Sequence, residues 1–269
     1  MIKDVFGEIM VEGIKNTKAL LLDLDGTVYV DGELIGDVKN TLSGFRKNGI
    51  KIVYLTNNSS RTPNDYVERL SSLGIFESND IVYSSLDSAV NYLNKFHKGE
   101  PIYVMATDKV DAYLKEQGII YSEKAKIVLL SFDRELTYDK IVKMNELLVG
   151  GAKFIITHPD KTCPAKPVFV PDVGSIIKLF ECSSGRVPDV VVGKPSPFMA
   201  EGIMHRLNLK KEEITMVGDR LSTDIQFGIN CGFNTVLVLS GETTKKSYQE
   251  SGLTVDLVLD DINDLKKYL

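Results

Sequence analysis

The sequence predicts an α/β fold in which a mostly parallel sheet carries a second, smaller α/β domain as an insertion. Short apolar runs rich in β-branched residues alternate with helical patterns, as in repeated strand–helix–strand units. The runs are almost continuously apolar, which is typical of parallel strands buried on both faces. A separate series of such units lies in the middle of the chain. We therefore expect residues 1–83 and 188–269 to form one domain and residues 84–187 to form the inserted one.

The outer domain is expected to begin with a strand at 19–22, and its second strand follows at 52–55. A helix is expected between them at 38–47, because the Asn-Gly pair after it is a helix stop. A further helix at 63–73 has a proline in its first turn, where proline is well tolerated. Four later strands of the same apolar kind are predicted at 190–192, 214–217, 235–239 and 256–259.

The inserted domain has its own alternation of elements. Its expected strands lie at 102–105, 127–130 and 154–156, and its expected helices lie at 110–116, 138–149 and 174–183. A proline-rich segment precedes the last of these helices. The order of elements predicts a small α/β domain of its own.

Composition limits the classes of protein to consider. A net charge of -5 disfavours nucleic acid and anionic membranes as partners, because both favour basic surfaces. No apolar run approaches the length of a membrane-spanning helix, and the first residues lack a signal-peptide pattern, so we expect a cytoplasmic protein. The three cysteines have no CxxC spacing, which predicts free thiols. Two of them, Cys182 and Cys231, are expected to be small packing residues.

Polar residues gather in four loops, and each loop follows a strand predicted for the outer domain. Loops at the carboxyl ends of parallel strands converge on the ligand site, so we expect all four to share one crevice. They lie at 23–27, 56–59, 193–195 and 218–224.

Carboxylates dominate two of these loops. Asp23 and Asp25 are spaced so that both can reach one cation, and Gly26 beside them permits a tight turn and a close approach to an anion. Asp219 and Asp224 form another acidic pair at the start of a helix. Hard oxygen ligands of this kind suit Mg²⁺. The sequence therefore predicts a magnesium site.

The other two loops carry groups that suit a bound oxyanion. Thr56 and Asn57 offer a hydroxyl and amides, and Lys194 offers a fixed positive charge. The three histidines lie outside all four loops, so a zinc hydrolase and a histidine-based triad are poorly supported. Neither a GxGxxG fingerprint after a strand nor a Walker A loop occurs, which argues against an NAD or ATP enzyme.

On these residues the chain resembles the haloacid dehalogenase-like (HAD) phosphatases, and most closely their type IIA branch of p-nitrophenylphosphatase, NagD-like and phosphoglycolate phosphatase proteins. The family's four motifs match, in order, loop 23–27, Thr56-Asn57, Lys194, and Asp219 with Asp224. The resemblance implies a Rossmann-like parallel-sheet core with an inserted α/β cap. It also implies Mg²⁺-dependent hydrolysis of a small phosphorylated metabolite.

The resemblance also implies roles for single residues. Asp23 would be the nucleophile that forms an aspartyl phosphate, and Asp25 the general acid and then the general base. Asp23, Asp219 and the backbone carbonyl of Asp25 would bind the metal. Asp224 would lie behind these ligands and orient Lys194 or a metal-bound water. The phosphoryl oxygens would be held by Asp25, Gly26, Thr56, Asn57 and Lys194.

Several alternatives remain open on the sequence alone. A dehalogenase would not need Asp25 or Thr27, and a phosphotransferase would return the phosphoryl group to a sugar. A regulatory member of the fold would bind Mg²⁺ or phosphate without catalysis. In the insertion, His158 or Asp160 could set specificity, or His158 could simply face solvent. An exposed cap edge could support a homodimer. Nucleotides, phosphoglycolate, glycerol phosphate and sugar phosphates are all compatible substrates.

Overall fold

Strands and helices alternate along the chain, as seen in a computed structural model that describes residues 12–165 and 167–269. The strands are β1 (Ala19–Leu22), β2 (Tyr29–Val30), β3 (Glu33–Leu34), β4 (Lys51–Thr56), β5 (Ile81–Ser84), β6 (Tyr103–Met105), β7 (Ile127–Leu130), β8 (Lys153–Ile156), β9 (Thr162–Cys163), β10 (Val170–Pro171), β11 (Val190–Val191), β12 (Ile214–Gly218), β13 (Asn234–Val238) and β14 (Leu257–Leu259). The α-helices are α1 (Val38–Lys47), α2 (Pro63–Ser72), α3 (Ser85–Phe96), α4 (Asp108–Glu116), α5 (Tyr138–Val149), α6 (Val173–Ser184), α7 (Phe198–Leu207), α8 (Gln226–Cys231) and α9 (Lys245–Ser251).

The larger sheet has six strands in the order β14-β13-β12-β1-β4-β5. Strand β1 lies between β12 and β4 and pairs in parallel with both, so that Leu22 stands opposite Val217 and Tyr54. All four residues of β1 are buried, as expected for a parallel strand covered on both faces. The sheet confirms the predicted α/β class. It also places the end of β1 in the middle of the sheet's carboxyl edge.

The smaller sheet has four strands in the order β11-β8-β7-β6, and its strand pairs are parallel. Its two faces support two separate apolar clusters. Ile127 and Leu129 of β7 belong to one cluster, whereas Val128 and Leu130 belong to the other. This alternation is the two-residue period of a strand. Alternate side chains of β7 therefore contribute to the two different clusters.

Strand β11 corrects one expectation from the sequence. Val190 and Val191 pair with Ile155 and Ile156, so this strand extends the smaller sheet and does not join the larger one. The Asp189 carboxylate accepts a 2.7 Å hydrogen bond from the Phe154 amide, which aligns β11 along β8. A short apolar run carries no local signal for the sheet that it joins, because strand pairing is a long-range choice.

The described residues group into two compact units. The first unit contains the residues up to Leu55 together with Val67–Val82 and Ile203–Leu269, and the second contains Thr56–Tyr66 and Tyr83–Gly202. The expected domain limits at residues 84 and 187 differ from this grouping, and they stay a prediction about where the insertion begins and ends.

Within the described ranges, no helix combines the length and the apolar character needed to span a bilayer.

Candidate active site

The loop that follows β1 carries the first acidic residue of the site. The amide of Asp23 donates to the carbonyl of Val217 at 3.0 Å, which extends the pairing of β1 and β12 by one residue. The chain then turns back, because the Val28 amide donates to the Leu24 carbonyl and the Gly26 amide donates to the Tyr29 carbonyl, at 2.9 and 2.8 Å. This compact turn fixes Asp23 at the carboxyl edge of the larger sheet.

Glycines surround the next acidic residue, Asp219, which follows β12. Gly26 has a φ of +95°, and a Cβ built on it would lie 2.4 Å from Oδ2 of Asp219. A Cβ on Gly241 would lie 2.0 Å from the same oxygen. A side chain at either position would displace the carboxylate. Gly26 is required here both for its backbone conformation and for its close approach to Asp219.

Asp23, Asp219 and Asp224 form what we call the acidic cluster. One carboxylate oxygen from each residue lies within 4.8 Å of the others, and Asp219 and Asp224 are only 2% and 1% exposed. Burial, and then the negative charge of Asp224, raise the pKa of Asp219 to about 7. Three carboxylates this close repel one another unless a cation lies among them.

The donor atoms of the acidic cluster fit a divalent cation. Oδ2 of Asp219 accepts a 2.6 Å hydrogen bond from the Glu242 amide, whereas its buried Oδ1 has no hydrogen-bonding partner. A buried carboxylate oxygen without a partner is costly, and a bound cation would satisfy it. Hard oxygen donors suit Mg²⁺. Asp224, expected behind the ligands, has its carboxylate near enough to Asp23 and Asp219 to join them.

A second polar group lies in the second unit. The side-chain amide of Asn57 donates to the Lys194 carbonyl at 3.0 Å, and the Lys194 amide donates to Oδ1 of Asn57 at 2.9 Å. Oγ1 of Thr56 accepts from the Asn58 amide at 3.1 Å. Because the Asn57 side chain is committed to the protein, its expected contact with a phosphoryl oxygen would have to come from its backbone. These contacts involve only the backbone of Lys194, so they do not test the predicted role of its side-chain ammonium group.

The structure thus gathers the predicted site residues into two sets. In the first unit, Asp23, Asp219 and Asp224 come together, with Gly26 beside them. The carboxylate of Asp25 is not one of the three that gather in the described part of the chain. Its expected role as an acid and base stays a prediction. The second set, in the second unit, contains Thr56, Asn57 and Lys194.

Sequence reasoning missed a loop that supports the acidic cluster. Ser240 lies just beyond β13, and its hydroxyl donates to the Gly26 carbonyl at 2.7 Å. The Glu242 amide donates to Asp219, and the Glu242 carboxylate lies 2.9 Å from Nε of Arg220. The same rule that selected the other loops, polar residues after a parallel strand, would have found this one.

His158 does not face solvent, so that interpretation of the sequence is wrong. Its side chain is fully buried, with Nε2 3.0 Å from Oδ1 of Asp172 and Nδ1 3.0 Å from the Thr157 hydroxyl. Asp160, two residues later, accepts a 3.2 Å hydrogen bond from the Asn57 amide. Asp160 therefore supports the second polar set, whereas the buried His158 contacts Asp172 and Thr157.

Comparison with known families agrees with these features. The sequence pattern described as a haloacid dehalogenase-like hydrolase matches residues 20–120, which include the β1 loop and the Thr56-Asn57 motif. A second pattern, described as HAD-hydrolase-like, matches residues 191–265, which include Lys194, Asp219 and Asp224. Together the two matches contain both polar sets.

Individual proteins resemble the chain over nearly its whole length. An acid sugar phosphatase of Staphylococcus saprophyticus is 31% identical over 258 residues, which are 95% of this chain and 99% of the relative. The crystal structure of a 4-nitrophenylphosphatase from Thermotoga maritima has a TM-score of 0.90 at 34% identity, covering 95% of this chain and 98% of that one. NagD from E. coli K-12 has a TM-score of 0.83 at 27% identity, with 92% and 98% covered.

Proposed function

We propose a reaction for this chain from one premise: the chain belongs to the haloacid dehalogenase-like hydrolases, and its relatives are those of the type IIA branch. Membership of this group makes it a phosphatase. We propose more specifically that it catalyses Mg²⁺-dependent hydrolysis of a small phosphorylated metabolite through an aspartyl phosphate on Asp23. The observation that carries it is the buried Oδ1 of Asp219, without a hydrogen-bonding partner, in a cluster with Asp23 and Asp224.

In the first step, a carboxylate oxygen of Asp23 attacks phosphorus, and the bond from phosphorus to the leaving oxygen breaks. Asp25 gives its proton to that oxygen as it leaves. A phosphorylated Asp23 results. Splitting hydrolysis in this way replaces one difficult displacement with two easier ones.

In the second step, water attacks phosphorus and the bond to Asp23 breaks. Asp25 takes the proton from the attacking water, which restores both carboxyl groups to their starting forms. Proton transfer by a positioned acid or base typically raises the rate by about 10²- to 10⁴-fold. Asp25 can serve as acid and base because its carboxylate is not among the three that would hold the cation.

Electrostatic support for both steps would come from two sources. Asp23, Asp219 and Asp224, with the Asp25 carbonyl as a further proposed ligand, would hold Mg²⁺. The ion would supply positive charge to neutralise the phosphoryl oxygens. Lys194 would supply a positive charge from the protein, and Gly26, Thr56 and the Asn57 backbone would offer hydrogen bonds. Such preorganised charge is commonly the largest contribution to catalysis.

The names of the relatives favour a phosphorylated sugar among the candidate substrates. The partner we propose is therefore a small sugar phosphate or similar metabolite, handled in the cytoplasm without nucleic acid or membrane. A homodimer formed through the inserted domain remains part of the proposal.

The reaction is tested by phosphate release from p-nitrophenyl phosphate in the presence of Mg²⁺. We expect Asp23→Asn to lower kcat by about 10³ or more, because an amide cannot act as the nucleophile. We also expect EDTA to stop the wild-type reaction and added Mg²⁺ to restore it. Circular dichroism of the variant controls for folding. Wild-type activity in Asp23→Asn, or full activity in EDTA, would contradict the mechanism.

A further inference from the structure

Asn57 and Lys194 are joined by a reciprocal pair of hydrogen bonds. The two residues are 137 positions apart in the sequence, yet the amide of Asn57 both donates to and accepts from the backbone of Lys194, at 3.0 and 2.9 Å. Asn57 is 6% exposed and Lys194 is 1% exposed. Two hydrogen bonds from one planar amide fix both the position and the rotation of the backbone that they hold.

The amide of Asn57 is itself held from two sides. Its Nδ2 also donates to Oδ2 of Asp160 at 3.2 Å, so both of its hydrogens are used. Its backbone carbonyl accepts a 2.5 Å hydrogen bond from the Ser85 hydroxyl. The side chain therefore has a single orientation that satisfies all of its donors and acceptors.

Close approach of the two chain segments is built into the sequence at Gly193. A Cβ on this residue would lie 2.7 Å from Oδ1 of Asn57 and 2.4 Å from the Thr157 carbonyl oxygen. No side chain fits there without moving Asn57 or the backbone next to it. Gly193 thus lets Asn57 reach the amide of Lys194.

We propose that Asn57 is a positioning residue, which sets where the ammonium group of Lys194 stands when a phosphoryl group is bound, and that Asp160 fixes the orientation of the Asn57 amide. This inference rests on the proposed function, in which the Lys194 charge supports phosphoryl transfer. Small displacements of a group that must be preorganised can cost about 10² in rate. Asn57 has no side-chain hydrogen left to offer a substrate, so it acts through Lys194.

Neither an aspartate nor an alanine at position 57 would keep all of these contacts. An aspartate at 57 would keep an acceptor for the Lys194 amide but would set a carboxylate against the Lys194 carbonyl oxygen and the Asp160 carboxylate. An alanine would leave the buried backbone amide and carbonyl of Lys194 without these two hydrogen bonds, which destabilises the position of that backbone.

The test is a double-mutant cycle with Asn57→Ala, Lys194→Ala and the double variant, each assayed for kcat and KM with p-nitrophenyl phosphate and Mg²⁺. We expect Asn57→Ala to lower kcat by about 10², and Lys194→Ala by about 10³. The double variant should be no worse than Lys194→Ala by more than about threefold, because the lysine through which Asn57 acts is then absent.

A matched control removes a different buried hydrogen bond from the same segment. The Ser88 hydroxyl donates to the Val192 carbonyl at 2.6 Å, two residues before Lys194. We expect Ser88→Ala to keep kcat within about twofold, since it leaves the Asn57 contacts in place. If Asn57→Ala does not fold, Asn57→Ser enters the same cycle.

A second arm tests the part assigned to Asp160. We expect Asn57→Asp to be nearly inactive and Asn57→Asp with Asp160→Asn to recover at least about fivefold, because the hydrogen bond between the two side chains returns with its donor and acceptor exchanged. Recovery below twofold would contradict the role of Asp160. If the wild type is active and the double variant loses kcat by the product of the two single losses, this inference is overturned while the proposed function stands. A wild type without phosphatase activity would overturn the proposed function and, with it, this inference.

Discussion

At the scale of single residues, the two buried acids of the acidic cluster are anchored by backbone amides. Oδ2 of Asp219 accepts from Glu242, and Oδ2 of Asp224 accepts from Arg220 at 3.0 Å. These anchors hold the carboxylates in place although their charges repel. Without a cation, the geometry is maintained at the cost of free energy of folding.

Replacing Asp219 with asparagine should separate this repulsion from metal binding. In EDTA at pH 8, we expect Asp219→Asn to melt higher than the wild type by ~5 °C, because one of three clustered charges is removed and each kcal/mol shifts the melting temperature by about 2–4 °C. Saturating Mg²⁺ should raise the melting temperature of the wild type, since it binds only the folded state, and should barely change that of the variant. Differential scanning calorimetry measures both.

The matched control for this experiment is Glu116→Gln, an equal loss of charge at an exposed position of α4. It should melt like the wild type and respond to Mg²⁺ in the same way. A full Mg²⁺ shift in Asp219→Asn would show that Asp219 does not bind the ion.

At the scale of elements, helix α3 begins with a complete capping box. The Ser84 hydroxyl accepts from the Asp87 amide at 3.3 Å, and the Ser84 amide donates to the Asp87 carboxylate at 2.8 Å. Ser84 is also the last residue of β5, so the cap couples the end of a strand to the start of a helix. This satisfies two amides that would otherwise lack partners.

We expect Ser84→Ala to lower the free energy of unfolding by about 1–2 kcal/mol, because the cap and its buried hydroxyl contacts are lost. Urea denaturation followed by circular dichroism measures the change. Asn94→Ala, at an exposed position of the same helix, should change stability by less than about 0.5 kcal/mol. Equal effects of the two substitutions would argue against a stabilising cap.

The same scale shows what the sequence can and cannot reveal about an element. Strand β7 is evident because four consecutive apolar residues are bounded by polar ones. The pairing of β11 is not, because it depends on a partner far along the chain. Cys182 was expected to pack, yet it is exposed, whereas Phe180 is buried. Side chains two positions apart on a helix point to opposite faces. Because α6 is apolar on more than one face, its sequence does not show which face is buried.

The site follows the same division. Asp23, Asp219 and Lys194 are found from sequence because each follows an apolar strand in a recognisable motif. The part played by Asn57 depends on the Lys194 backbone, a contact that no local pattern encodes. The burial of His158 likewise depends on its contact with Asp172. Long-range hydrogen bonds are therefore the part of the site that only the structure supplies.

At the scale of the whole molecule, the reactivity of the cysteines can report local or global unfolding of each unit. Cys231 lies in the first unit and is buried, and burial raises the pKa of its thiol to about 12. At pH 8, about one in 10⁴ of such thiols is ionised, against roughly one in four for an ordinary thiol with a pKa of about 8.5. Cys182, in the second unit, is exposed. Labelling of Cys231 therefore requires local or global opening of the first unit.

We expect 5,5′-dithiobis(2-nitrobenzoic acid) at pH 8 to modify Cys182 rapidly and Cys231 only slowly, as followed by mass spectrometry of the peptides. Mg²⁺ should slow the Cys231 reaction further, because the ion stabilises the closed form of the unit that holds it. The Cys182 rate serves as the internal control and should not depend on Mg²⁺. Equal rates at the two cysteines in the folded protein would contradict the buried position of Cys231.

The central place of β1 has a consequence for how the chain folds as it is made. This strand needs β12 as a neighbour, and Ala19 stands opposite Ile214, which is translated long afterwards. All four strands of the smaller sheet leave the ribosome before β12 does. Units fold as their sequences emerge, so the second unit can be complete on the nascent chain while β1, which can already pair with β4, still lacks β12 on its other side. The edge of β1 that faces β12 is thus among the last to be paired. A chaperone that shields this edge has a defined interval in which to act.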